Sequence, residues 1–290
     1  MTSERDLSDR KFYPADQEAK FSTEQADTPQ TRHPAYKLAF QDKEFLLRDE
    51  LRPVRFQLEL LKPEMLLDEA GVGSTLVMYG SARIPPPESV DEVEEQAAKL
   101  PEDEARVLRN LAKKAKYYGE ARKLARMVSE KSIIEEGKRQ FVVCSGGGPS
   151  IMEAANRGAS DAGAESVGLN IVLPHEQAPN PYVTPYLSLN FHYFALRKMH
   201  FLLRAKAVAV FPGGFGTFDE FFELLTLIQT GKMKKMPILL FGKDFWTRVV
   251  DFEAIADEGT ISHKDLELFQ WCETADEAWA AIAEFYDLDR

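Results

Sequence analysis

Short apolar runs of strand length alternate along most of this chain with longer stretches whose apolar positions recur every three or four residues. The runs cover residues 75–79, 140–144, 166–173, 187–191, 205–211 and 237–241. Continuous apolar strands that alternate with helices predict a mostly parallel α/β sheet with helices on both faces. Helical periodicity is expected in the charged region 88–137, through Tyr117, Ala121, Leu124, Val128, Ile133 and Ile134, and again over an alanine-rich stretch to Gly163. Further helices are expected within 193–206, after Gly216, over 244–258 and over 274–286, with a short helical or extended piece at 261–269.

The pattern changes upstream. Residues 1–34 are polar with scattered prolines, and read as an arm that is flexible or ordered by a partner. Residues 35–73 read as short helices, separated near Pro53 and Pro63, that pack on the core as an extension. Residues 74–290 then form the main domain, with a charged excursion at about 85–115 after Pro85-Pro86-Pro87.

Two strands end in glycine turns that open helices. The first is Ser145-Gly146-Gly147-Gly148-Pro149 and the second Pro212-Gly213-Gly214-Phe215-Gly216-Thr217. Glycines let backbone N–H groups turn towards a ligand, and a helix start adds orphan donors, so either turn can cradle a phosphate. The alternative is a tight βα turn that needs small residues. Neither turn has the Gly-Lys-Ser/Thr of a P-loop or the spacing of a dinucleotide fingerprint. Thr217 with Glu220 predicts a capping box at the start of the second helix. Gly80, Ser81 and Arg83 follow the first strand at the same sheet edge, where ligands collect in open parallel sheets. Glu153 reads equally as a ligand contact or as favourable charge in a first helical turn.

The composition narrows the partners. A formal charge of -11 argues against nonspecific binding to nucleic-acid polymers or anionic membranes, and the Lys113-Lys114-Ala115-Lys116 cluster reads as a solvated helix face. Cys144 and Cys272 read as ordinary thiols of a reducing compartment, and with no signal-like start or long apolar segment the expected location is the cytoplasm. His175 and Glu176 lack the further ligands of a metal site, so no metal and no cofactor are expected. Trp246, Trp271 and Trp279 read as packing residues.

Over roughly residues 74–245 the motifs Ser145-Gly-Gly-Gly-Pro149, Arg197-Lys198 and Pro212-Gly-Gly-Phe-Gly-Thr-Phe-Asp-Glu220 resemble the cytokinin-activating phosphoribohydrolase family, the LOG proteins, historically mislabelled lysine decarboxylases. Asn156-Arg157-Gly158-Ala159 and Leu227-Ile228-Gln229-Thr230-Gly231 resemble its longer bacterial branch. The resemblance implies a Rossmann-like fold, a homodimer or an assembly of dimers, and hydrolysis of a nucleoside 5′-monophosphate, AMP or a related purine nucleotide, to free base and ribose 5-phosphate. It implies Arg197 and Glu220 as the catalytic pair. Gly213, Gly214, Gly216 and Thr217 would hold the phosphate, and Gly80, Ser81, Arg83, Gly146, Gly147, Gly148, Glu153 and Lys198 would complete the substrate site. Compact relatives continue the first glycine turn with Gly-Leu-Met-Gly, where this chain has Ser150-Ile151-Met152-Glu153. Lysine decarboxylation is not expected, because Lys198 and Lys206 lack the surroundings of a Schiff-base lysine. The alternative reading is a non-catalytic nucleotide-binding sensor, carrier or interaction protein.

Overall fold

A computed structural model describes residues 12–174 and 178–288. The readings made for the extreme N-terminus and for His175 and Glu176 lie outside the described residues. Contacts divide the chain into one compact unit up to Leu58 and another from Glu59 onward.

The first unit carries the short helices α1 (Ala15–Phe21), α2 (Pro29–Arg32) and α3 (Lys43–Leu46), none of which has a buried residue. Side-chain caps start two of them: Thr28 accepts from the backbone of Thr31, and Asp42 from those of Glu44 and Phe45. Helix α4 (Arg52–Glu69) begins here and ends in the second unit. It runs through Pro63 without the expected break. A proline inside a helix removes one N–H and leaves the carbonyl four residues earlier unpaired. That carbonyl belongs to Glu59, and it is met by His200 Nε2 at 3.1 Å.

The second unit contains strands β1 (Thr75–Tyr79), β2 (Ile134–Glu135), β3 (Lys138–Arg139), β4 (Val142–Ser145), β5 (Val167–Ile171), β6 (Ser188–Phe191), β7 (Ala205–Val210), β8 (Ile238–Phe241) and β9 (Gln270–Cys272). Its helices are α5 (Val90–Ala97), α6 (Glu102–Ala112), α7 (Ala115–Glu130), α8 (Ile151–Asp161), α9 (Phe194–Leu203), α10 (Phe215–Gln229), α11 (Lys243–Val249), α12 (Phe252–Asp257) and α13 (Ala275–Tyr286). Seven strands form one sheet in the order β6-β5-β4-β1-β7-β8-β9, with every pairing parallel. This is an α/β Rossmann-like fold. Among the described residues, no helix is long and apolar enough to cross a membrane.

Alternation along the central strands divides the core. Leu76 and Met78 of β1, with Val143, Ala207 and Ala209, bury against Tyr118, Leu124, Ile151 and Trp279 of α7, α8 and α13. On the other face Tyr79 meets Phe201 of α9 edge-on at 5.1 Å. Strand β1 opens the sheet at its centre. The chain builds outward through β4, β5 and β6, then crosses to the free side of β1 at β7.

Two further expectations are corrected, and one strand was absent from the pattern. The helical period does not continue to Ile134, because Glu136 and Gly137 both take positive φ and turn the chain through the β2–β3 hairpin. The helix expected over 244–258 is two helices, separated where Asp251 caps α12. Strand β9 has only three residues, too few to show an alternation, and it forms by pairing with β8.

Helices α4 and α9 are joined by polar contacts as well as by packing. Glu59 carboxylate oxygens accept the backbone N–H groups of His192 at 2.9 Å and Tyr193 at 3.1 Å, and Arg204 donates to Glu64 at 2.8 Å. The imidazole of His200 is fully enclosed, and burial holds its pKa below the ordinary value. A depressed histidine leaves stability intact above the unfolded pKa, near 6.5, and withdraws it as pH falls towards the folded value. Thermal unfolding followed between about pH 8 and pH 5 is therefore expected to show His200→Gln, whose amide keeps a donor, losing less stability on acidification than the unsubstituted protein. Parallel curves for the two proteins would overturn this reading.

Candidate functional site

Where the strand order reverses, β1 and β7 stay paired to their C-terminal ends while the connections that leave them run to opposite sides of the sheet, and a crevice opens outside those ends. Backbone bonds hold its rim. Phe211 N–H donates to the carbonyl of Tyr79 at 2.8 Å, Ser81 N–H to that of Pro212 at 3.0 Å, and Ile151 N–H to that of Ser81 at 3.2 Å. The turns after β1, β4 and β7 are thereby fixed against one another. A cavity of about 560 Å³ opens between them.

One wall is the start of α10. The expected capping box is not formed: the helix begins at Phe215, with Gly214 at the N-cap and no side-chain oxygen on its first N–H groups. Thr217 is consequently inside the first turn. A β-carbon on Gly213 would stand 2.1 Å from Thr217 Oγ1, so only glycine lets the loop pass so close. Gly214, Gly216 and Thr217 line the cavity, beside donors that have no side-chain acceptor.

Glu220 lies one turn further along the same wall, 8% exposed, with Oε2 lacking a hydrogen-bond partner among the described residues. Burial raises its pKa to about 7, against the lowering effect of Lys198; Glu223 raises it and Arg197 lowers it. The Lys198 ammonium does not line the cavity. It is held between Asp219 at 2.8 Å and Glu223 at 3.0 Å, tying α9 to α10 just behind Glu220.

Arg197 reaches the cavity from α9. Its Nε donates to the carbonyl of Leu169 at 2.7 Å, and its guanidinium stacks over Phe201 at 5.3 Å. A β-carbon on Gly146 would lie 2.7 Å from the guanidinium, so that glycine makes room for the arginine. Gly80, Ser81 and Arg83 complete the polar lining, while Met152, Phe194 and Leu173 make it apolar on another side.

The remaining predicted residues stand elsewhere. Gly147 and Gly148 face inward, and their carbonyls accept from Asn180 Nδ2 at 3.1 and 3.0 Å. Asn180 continues to Asn156 at 2.9 Å, and Asn156 to Ser145 at 2.7 Å and Ser166 at 3.0 Å, a buried polar network that fixes the shape of this turn. Glu153 accepts from Tyr118 Oη at 2.7 Å rather than opening on the cavity. Gly213 turns its other side to a separate depression.

Tyr79 was not anticipated. Its ring closes the last position of β1, and its hydroxyl is buried at the cavity without a partner among the described residues. Burial keeps the phenol protonated, with the charge of Glu220 acting in the same direction. In sequence it reads as one more apolar strand residue, so only its place at the switch point distinguishes it. Cys144 and Cys272 are free and buried, and burial pushes both thiols up to about 12, out of the range of a reactive thiolate.

Comparison with known proteins bears on this geometry. Residues 152–282 match a protein family described as "Possible lysine decarboxylase". A cytokinin riboside 5′-monophosphate phosphoribohydrolase of Arabidopsis thaliana, LOG2, is 27% identical over 152 residues, covering 51% of this chain and 67% of that protein. Among solved structures, the molybdenum cofactor carrier protein of Chlamydomonas reinhardtii is 19% identical, with a TM-score of 0.40 over 59% of this chain and 88% of that one. The chain, carrying Arg197 and Glu220 on one crevice, is therefore similar at the family level to the LOG and lysine-decarboxylase-like proteins.

Proposed function

We propose that this cavity binds a nucleoside 5′-monophosphate and that the protein hydrolyses its N-glycosidic bond. The observation that carries the reading is the convergence of a buried carboxylate, Glu220, with Arg197 and an uncapped helix start on one cavity. The family-level similarity to a phosphoribohydrolase supports the same substrate class.

The phosphate would sit at Gly214, Gly216 and Thr217, where backbone donors and the positive end of α10 favour an anion. The base would lie along Met152, Phe194 and Leu173. Cleavage places positive charge on the ribose, and ionised Glu220 stabilises it and takes a proton from the attacking water. Arg197 is a poor proton donor at neutral pH but a strong fixed charge. The Tyr79 hydroxyl, a buried donor without a partner among the described residues, is suited to the departing base. Lys198, engaged with two carboxylates, offers no free amine for Schiff-base chemistry.

A second reading keeps the binding and drops the cleavage. It is favoured by the state of Glu220, which with a pKa of about 7 also serves as a hydrogen-bond donor to a ligand that is held and passed on. One assay separates the two. AMP and a panel of nucleoside monophosphates are expected to yield free base and ribose 5-phosphate by chromatography. Glu220→Gln should lower turnover by about 10²-fold or more while changing AMP affinity by less than about threefold. Nucleotide affinity without base release from any member of the panel would leave the holding reading, and absence of both would remove the site.

The pH dependence has a defined sign. The working form is the carboxylate, so turnover should fall as pH drops through about 7. Stability runs the other way, because a raised carboxylate pKa costs stability above the unfolded value. Glu220→Gln should accordingly raise the unfolding free energy at pH 8 by an amount on the order of 1–3 kcal/mol, a difference that closes near pH 5. A variant no more stable at pH 8 than at pH 5, relative to the unsubstituted protein, would contradict it.

Tyr79→Phe removes the unpaired hydroxyl at little cost to the core. Unfolding should be unchanged or shifted upward, and kcat should fall by about tenfold with KM nearly constant. An unaltered kcat would remove Tyr79 from the reaction.

A further inference from the structure

The basic run at Lys113–Lys116 divides in the structure. Lys116 pairs with Glu273 at 3.6 Å. Lys114 turns the other way, into a second cavity of about 290 Å³ on the far side of the glycine loop. There its ammonium donates to the carbonyl of Asn110 at 2.6 Å and stands 6.0 Å from the ring centre of Phe245.

Arg248 of α11 lines the same cavity. Among the described residues, neither Lys114 nor Arg248 has a carboxylate within ion-pairing distance. Burial, and then the charges of Arg248 and Lys113, hold the Lys114 ammonium below its usual pKa, so the two cations act on each other without compensation. In a chain of net charge -11 such a pair is not the expression of a generally basic surface. Like charges without carboxylate partners, one of them partly desolvated, repel each other, and an anion between them removes the repulsion.

The rest of the lining sets the size and kind of that anion. Val107 and Leu111 of α6, with Ile84 and Phe245, make an apolar base. Ser81, Gly213 and Gly214 form the opposite side, and of these Ser81 and Gly214 also line the first cavity. A space of about 290 Å³ suits a small anion and not an extended polyanion. Arg248 can grip two oxygens of a phosphoryl group in its planar fork, and Lys114 supplies a point charge.

The geometry points to a second anion site, in which a phosphate or diphosphate group is held between Lys114 and Arg248 against the back of the glycine loop. Its occupant would touch Ser81 and Gly214, backbone that the first cavity uses from the other side. The site does not depend on what chemistry, if any, the first cavity performs.

Inorganic pyrophosphate, titrated calorimetrically into the full chain, tests the assignment, with inorganic phosphate in a second titration. Saturable binding is expected, weakened by roughly tenfold or more in Arg248→Ala and in Lys114→Met, and changed by less than about twofold in Thr217→Val. Arg248 is exposed, so its replacement leaves the fold intact, and Arg248→Glu provides a charge reversal should Lys114→Met fold poorly. Absence of saturable binding to the unsubstituted protein would overturn the proposal. So would affinity unchanged in the Arg248 variants, or affinity lost in Thr217→Val, which would assign the anion to the first cavity.

Discussion

The structure around the crevice depends on the backbone of Ser81. Its N–H is given to Pro212 and its carbonyl receives Ile151, so one residue after the central strand joins the turn after β7 to the helix that follows β4. Connections on either side of a switch point leave the sheet in opposite directions, and nothing in the strand pairing itself ties the lips of the opening together. Here the Ser81 backbone does. The same bonds that hold the turns leave α10 starting at the cavity and bring the guanidinium of Arg197 across from α9.

Within that frame the charges are arranged at unequal cost. Lys198 is satisfied twice, by Asp219 and Glu223, and serves as a tie between helices. Arg197 spends its Nε on a backbone carbonyl, which fixes its direction. Glu220 keeps a buried oxygen with no hydrogen-bond donor among the described residues, at the same cavity as a phenol in the same condition. Unpaired buried polar atoms are uncommon because each forfeits its hydration, and two that face one cavity mark where a ligand's own groups complete the bonding.

Much of this was legible in the sequence. The six apolar runs mark six of the strands in the main sheet because parallel strands buried on both faces have no polar face to confuse the pattern. The crevice residues Gly80, Ser81, Arg197, Gly214, Thr217 and Glu220 stand together, as their order relative to the strands suggested. What was not legible depended on distant partners. Pro63 reads as a break until His200 supplies the donor its helix lacks. Thr217 and Glu220 read as a capping box because spacing does not reveal that Gly214 is the N-cap and the helix already begins at Phe215. Glu153 reads equally as a ligand contact or as first-turn charge, and it stands in the first turn of α8, because Tyr118, the partner on another helix that decides against the ligand contact, is not its neighbour in sequence. Tyr79 carries no local signal at all.

The parallel pairing of β1 with β7 also has a consequence for how the molecule comes into being. Thr75 and Ala205 are neighbours in the sheet, yet β4, β5, β6 and the helices between them all intervene along the chain. Contacts of such long sequence separation close late and slowly, since the loop entropy must be met before the pairing rewards it. On a growing chain, β1 can associate with β4 while β7 has yet to be made, and its other edge stays bare meanwhile. The crevice therefore cannot form until β7 and the start of α10 have been made.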